Sequence, residues 1–280
     1  MNSATKILVV NVKHRRNELI ALIVGLFVLC NAAIMSFIFE CDAEQLKSLT
    51  FADFFAAPLI GGMSLQPLSK ALHPIPFQWM GICLFSMLWT MLAPLGRTGK
   101  ESGYFVLATG NRSAWFVADI VWLIIGALML LIALFVSSLA WTIAQGAEFG
   151  TSILSLCNVL LDDDYLSGNP HVTGGMLASF LLALFFINCI VLNVLSRFGE
   201  ISALVLSVFI VASAPCYPSG FLVGRYLCLA CYASISSEGL DAASGCIALF
   251  VLALISAAAY WVRVDRMDIS FGQEALQWCL

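Results

Sequence analysis

Five stretches of the 280-residue chain run for about 20 residues with at most one Asp, Glu, Lys or Arg: 19–39, 77–95, 116–141, 174–196 and 244–262. A helix needs about 20 apolar residues to cross a hydrocarbon core of ~30 Å. In that medium every backbone N–H and C=O must be paired internally, so runs of this length fold as a bundle of helices. A sixth run, 198–216, has a shorter apolar middle, which reaches only about 21 Å as helix. It extends back toward Arg197 or passes through Pro215 with a kink, which membrane helices tolerate. The expected fold is an all-α integral membrane protein of six transmembrane helices, one transmembrane domain over residues 1–280.

Composition agrees. Hydrophobic residues make up 61% and charged residues 11% of the chain, where soluble domains have about half and a quarter. That leaves no room for a separate soluble domain. The net charge of -4 carries no nucleic-acid footprint. The basic "KHRRNE" before the first run suggests a signal peptide, but the run is too long and no A-x-A-like site follows. It is expected to stay as a helix.

Basic residues orient the bundle. With the N-terminus inside, Lys6, Lys13, Arg15, Arg16, Arg97, Lys100, Arg112, Arg197, Arg263 and Arg266 are cytoplasmic, leaving Lys47, Lys70 and Arg225 outside. Both termini then lie on one side, as six spans require. "TKILVVNVKHRRNE" fits an amphipathic helix on the inner leaflet, though a basic topology-setting flank has the same composition. The exterior loops are acidic, and the run 162–164, "DDD", reads as a solvated turn rather than a calcium site. Two exterior segments, 51–62 and 220–234, are apolar but too short to span, and are expected as half-helices. The second carries Arg225 near its centre and follows a break at Pro215 and Pro218. Re-entrant and surface placements are both open for it, since either spares an Arg the cost of the bilayer centre.

Ionisable groups are nearly absent from the spans. His14, His73 and His171 lie outside the apolar runs, which speaks against a haem held between helices, and Asp119 and Glu200 sit at span ends. The main interior polar groups, Asn31, Asn188 and Asn193, either line a substrate path or bond neighbouring helices together, the commoner role. Of ten cysteines, Cys30, Cys83, Cys189 and Cys246 fall inside apolar runs, while Cys41, Cys157 and Cys216 lie in connections where a disulfide could form on an oxidising side. Cys228 and Cys231 form "CLAC"; without a second pair or a nearby His, packed thiols outweigh a zinc or redox site. No metalloprotease, nucleophile-elbow or EF-hand motif occurs, so the chain is not expected to be an enzyme.

"GRTGKESGYFVLATGNRSAWF", residues 96–116, is a polar island between the second and third spans, on the cytoplasmic side. It is not a P-loop: Gly96 and Gly99 are three apart, Glu101 follows Lys100, and no strand precedes. Residues 100–108 can form a short helix with Tyr104, Phe105 and Leu107 on its apolar edge and Gly110 as its stop. Asn111 or Ser113 can then cap a third span whose first turn carries Trp115 at the interface.

Six spans, cytoplasmic termini and an amphipathic N-terminal helix accompany this loop, with Glu101, then "YFVLATG", then Asn111, Arg112, Ser113 and Trp115. Together they resemble the permease subunits of type-two ABC exporters, and "APCYPSGFLVGRY" resembles that family's outer hairpin. "TGNRSAWF" is closer to the lantibiotic immunity branch, but Ala108 follows Leu107 where many members have Pro. The resemblance implies a coupling segment over 96–115, with Arg97, Lys100, Glu101, Tyr104, Leu107, Arg112 and Trp115 contacting a separate ATPase subunit that binds ATP and Mg. It implies no cofactor in this chain, a second permease subunit, a bacterial plasma membrane, and export of an amphipathic substrate such as a peptide antibiotic. A non-transporting membrane anchor is the alternative, needing the core for packing only.

Overall fold

The structure, a computed structural model, describes residues 3–61, 77–93, 112–160, 169–213, 223–235 and 239–266. The described residues form helices and turns, with three isolated β-bridges. Four helices are long and apolar enough to cross a membrane: α2 (Arg16–Glu40), α5 (Arg112–Gln145), α7 (Gly174–Phe198) and α9 (Ala242–Arg266). Each contains one of the apolar runs and extends past it. The 34 residues of α5 rise about 51 Å, so its ends reach beyond a hydrocarbon core. Two apolar helices are shorter, α4 (Phe77–Met91) with 15 residues and α8 (Glu200–Ser213) with 14. Only Gly199 separates α7 from α8, its N–H donating to the Leu195 carbonyl to close α7.

Hydrogen bonds show how the helices run. Asn31 of α2 meets Ser137 and Trp141 near the end of α5, and Thr50 beyond α2 pairs with Glu148 beyond α5, so these two are parallel. Gln78, at the start of α4, donates to Ser36 near the end of α2, and Trp89, near the end of α4, meets Trp122 early in α5. Thus α4 runs opposite to both. Ser179 bonds the Ala242 carbonyl and Asn193 the Ser256 carbonyl, so α7 and α9 are parallel. Tyr260, late in α9, reaches Asp119, early in α5. One end of the bundle, the base, therefore gathers α1 (Ser3–His14), the starts of α2 and α5 and the ends of α4 and α9.

The opposite end is closed by a cap of short elements: α3 (Phe51–Ala56), α6 (Leu154–Leu160) and 3-10 turns at Val223–Leu227 and Leu229–Cys231. Thr50 and Asp53 form a capping box that starts α3. The described part of the segment 51–62, residues 51–61, is largely buried. Ala52, Phe54, Ala56 and Leu59 are buried, and backbone bonds from Leu229 to Leu59 and from Ala230 to Ile60 (3.0 and 3.1 Å) tie it to the second turn. Trp79 of α4 donates to the Leu227 carbonyl at 2.8 Å. Where a half-helix was expected over 220–234, the described part is a pair of buried 3-10 turns, whose own i to i+3 bonds are interrupted where Leu229 and Ala230 bond the α3 connection.

Large apolar side chains point outward along the four long helices and α8, among them Val24, Val28, Leu128, Ile132, Val205, Phe209, Ile247, Phe250 and Ile255. An apolar surface this extensive is expected where helices meet lipid.

Candidate functional site

At the base, α1 presents Ala4, Ile7 and half-buried Leu8 to Ala114, Trp115 and Ala118 of α5. The spacing of three and four puts these α1 residues on one helix face. Lys6, Lys13 and His14 remain exposed beside exposed Val9, Val10 and Val12, a mixture suited to a headgroup surface. The Asn11 amide donates to the Leu92 carbonyl at 3.0 Å, just past α4. One helix therefore touches both chain segments that flank residues 94–111. Arg112 donates to the Asp265 carbonyl, and Phe116 meets the Trp261 ring edge-on at 5.0 Å, so the end of α9 joins the same junction. Trp115, expected at the membrane interface, is instead buried because α1 covers it. Of the expected coupling residues, Arg112 and Trp115 are in this junction; Arg97, Lys100, Glu101, Tyr104 and Leu107 lie outside the described residues.

The three interior asparagines sit at three different helix contacts. Asn31 donates to the Phe27 carbonyl and Ser137 Oγ (2.8 and 3.2 Å) and accepts from Trp141 Nε1 at 2.9 Å, joining α2 to α5. Asn188 donates to Ser86 Oγ at 2.7 Å, joining α7 to α4. Asn193 donates to the Cys189 and Ser256 carbonyls (2.9 and 3.2 Å), joining α7 to α9. Among the described residues, Asn188 Oδ1 is the buried side-chain polar atom without a hydrogen-bond partner.

The cap holds two polar clusters. Asp53 is fully buried; its Oδ2 accepts from the Thr50 N–H at 2.8 Å and its Oδ1 from the Leu156 N–H at 3.0 Å. Burial pushes its carboxyl up from the ordinary value, while those backbone donors pull the other way. The second cluster surrounds Arg225, which is only 6% exposed and whose carbonyl accepts from the Cys228 N–H at 3.0 Å. The Cys231 N–H donates to the Cys228 carbonyl at 3.2 Å, and Cys228 Sγ donates to the Ile60 carbonyl at 2.8 Å. The neighbouring Cys228 thiol, then the Arg225 charge, bring the Cys231 thiol below its ordinary value against the effect of burial, while Cys228 is pushed up. Gly61 makes room for this arrangement: a Cβ there would lie 2.5 Å from Cys228 Sγ, and its φ of 69° also disfavours other residues. The proline break at Pro215 and Pro218 lies outside the described residues.

Sequence reasoning missed the Asp53 link to α6 and the reciprocal pairing of Trp89 with Trp122, both between residues distant in the chain. The backbone bond that sets Cys228 on the Arg225 carbonyl was closer to hand, since three residues separate two groups already noted. No protein family, curated protein or solved structure matches the chain.

Proposed function

We propose that the chain is the transmembrane subunit of an ATP-driven ABC exporter, crossing the plasma membrane of a bacterium six times, with α4 and α8 as the two shorter crossings and the base in the cytoplasm. A separate ATPase subunit binds ATP and Mg and engages residues 96–115, and a second permease copy or sister completes the pathway for an amphipathic substrate. The observation that carries this reading is the bridge made by α1, which bonds the exit of α4 through Asn11 and covers the start of α5 at Trp115. With Arg112 holding the end of α9, a push on the intervening segment would move these helices together.

The alternative, a non-transporting membrane anchor, draws on the asparagines: Asn31, Asn188 and Asn193 each bond a neighbouring helix, as packing alone requires. Copurification of the tagged chain with its cellular partners separates the readings. An ATPase subunit bearing a Walker motif is expected. In the reconstituted complex, Glu101→Lys and Arg112→Glu should preserve assembly while uncoupling ATP hydrolysis from transport. Purification without any ATPase would favour the anchor, whereas normal coupling in both variants would count against the placement of the coupling segment.

A further inference from the structure

We propose that the outward face of α1, with Lys6, Val9, Lys13 and, as the first residue of α2, Arg16, docks anionic phospholipid headgroups, and that the bound lipid holds α1 over the junction of α4 and α5. Arg15 alone separates α1 from α2, and its torsions, φ -103° and ψ 19°, leave the helical region. The hydrogen-bond ladder nevertheless crosses it. Arg15 N–H donates to the Asn11 carbonyl at 3.0 Å, and Leu19 N–H to the Arg15 carbonyl at 2.9 Å. The two helices therefore keep one phase. Exposed residues follow at intervals of three and four from Lys6 through Val9, Lys13, Arg16, Ile20 and Val24 to Val28, a single stripe along one side.

Composition changes along that stripe. Ile20, Val24 and Val28 belong to the apolar surface that meets lipid tails. Toward the base the same side carries Lys6, Lys13 and Arg16 around Val9, with exposed Val10 and Val12 at its edges. Lipids whose tails cover the apolar part bring their headgroups to the level of the basic part, so continuity of the face names the occupant. A solvated basic flank gains nothing by exposing three valines among its charges, whereas the boundary between headgroups and acyl chains accommodates both. Charge then selects among lipids. Glu18, the first acid in the sequence, is ion-paired at 3.4 Å with buried Arg15 and uses none of the three exposed cations. Each Lys or Arg at a negatively charged bilayer surface strengthens association by about fivefold.

The inner face of α1 gives the lipid its consequence. Ala4 and Ile7 cover Ala114, Trp115 and Ala118, and Asn11 bonds the Leu92 carbonyl. A helix of 12 residues is marginal in water on its own, so α1 depends on what grips its two sides. Headgroups on the outer side keep the inner side seated, and anionic lipid should tighten the junction. The proposal rests on the membrane-spanning reading of the long helices and not on ATP-driven transport.

The full chain, purified in detergent, would be titrated with phosphatidylglycerol or phosphatidylcholine and the bound lipid counted by native mass spectrometry. Phosphatidylglycerol should bind more tightly, and the triple variant Lys6→Gln, Lys13→Gln, Arg16→Gln should weaken it by about a hundredfold, fivefold for each charge. Arg197→Gln, which removes an exposed charge at the end of α7, should leave it unchanged. Val9→Ser with Val10→Ser should also weaken it, because a lipid uses the valines and a soluble anion does not. In nanodiscs, amide exchange across residues 4–14 should be slower with phosphatidylglycerol than with phosphatidylcholine alone, and inorganic phosphate should not reproduce the protection. The substituted residues are exposed, and unchanged melting temperatures would show that the variants fold. Equal binding of the two lipids, wild-type affinity in the triple variant, an equal loss in Arg197→Gln, or protection by phosphate alone would each overturn the proposal.

Discussion

Asp53 joins two cap elements with one carboxylate, taking the Thr50 N–H that opens α3 and the Leu156 N–H in the first turn of α6. Removing it in Asp53→Ala leaves buried donors without an acceptor and should cost about 1–3 kcal/mol. Its titration gives a sharper expectation. Burial is the largest influence and raises the folded pKa above 3.8, so the folded state binds the proton more tightly than the unfolded chain. That contribution to stability is fully present below the unfolded value and is lost as pH rises through the raised folded value. The melting temperature of the wild type minus that of Asp53→Asn should therefore fall between pH 4 and pH 7. A difference that grows with pH would mean that the two backbone donors outweigh desolvation and hold the carboxylate ionised.

Between elements, α4 and α5 are joined by a reciprocal pair of tryptophan hydrogen bonds. Trp89 Nε1 donates to the Trp122 carbonyl at 3.0 Å, Trp122 Nε1 donates to the Trp89 carbonyl at 2.9 Å, and the rings stack at 4.9 Å. The reciprocal bonds fix the Trp89 indole over Gly126, where an added Cβ would come within 2.4 Å of it. Because the ring cannot swing away without losing both its bond and its stacking, Gly126→Ala should destabilise the protein by about 1–3 kcal/mol through overpacking. Gly25→Ala, with open space around the added carbon, should be neutral or slightly stabilising through helix propensity; equal melting temperatures for the two variants would contradict the packing at Gly126. This contact also marks where sequence reading stops. The long apolar runs announced α2, α5, α7 and α9, because length and hydropathy are local properties that the bilayer turns directly into helix. The cap was legible only as two apolar segments too short to span. What fills it, Leu229 bonding Leu59 and Trp79 bonding Leu227, depends on residues more than a hundred positions apart. Likewise Asn31, Asn188 and Asn193 were visible as polar interior residues, but their partners Trp141, Ser86 and Ser256 were not.

At the scale of the molecule, the directions of the helices and their hydrophobic lengths make different demands. Length alone qualifies four described helices as spans, whereas the hydrogen bonds send α4 from the cap to the base between two parallel helices, α2 and α5. If α4 did not cross, the end of α2 and the start of α5 would lie on the same side of the bilayer. The Asn31 bonds and the Thr50–Glu148 pairing beyond both helices place α2 and α5 parallel, and the proposed six-span reading returns the chain between them through α4. The same reasoning applies to α8, since parallel α7 and α9 also need a return between them. Epitope tags placed before Ser3, after Gly146 and after Arg266 would test both crossings in sealed vesicles treated with protease. The first and third tags should share one fate and the middle tag the opposite one. A first tag that sided with the middle one would require α2 and α5 to cross with different parity from that shown by Asn31 and Trp141. A third tag that sided with the middle one would instead remove α8 from the spans and leave α7 and α9 antiparallel, against the Asn193 bond.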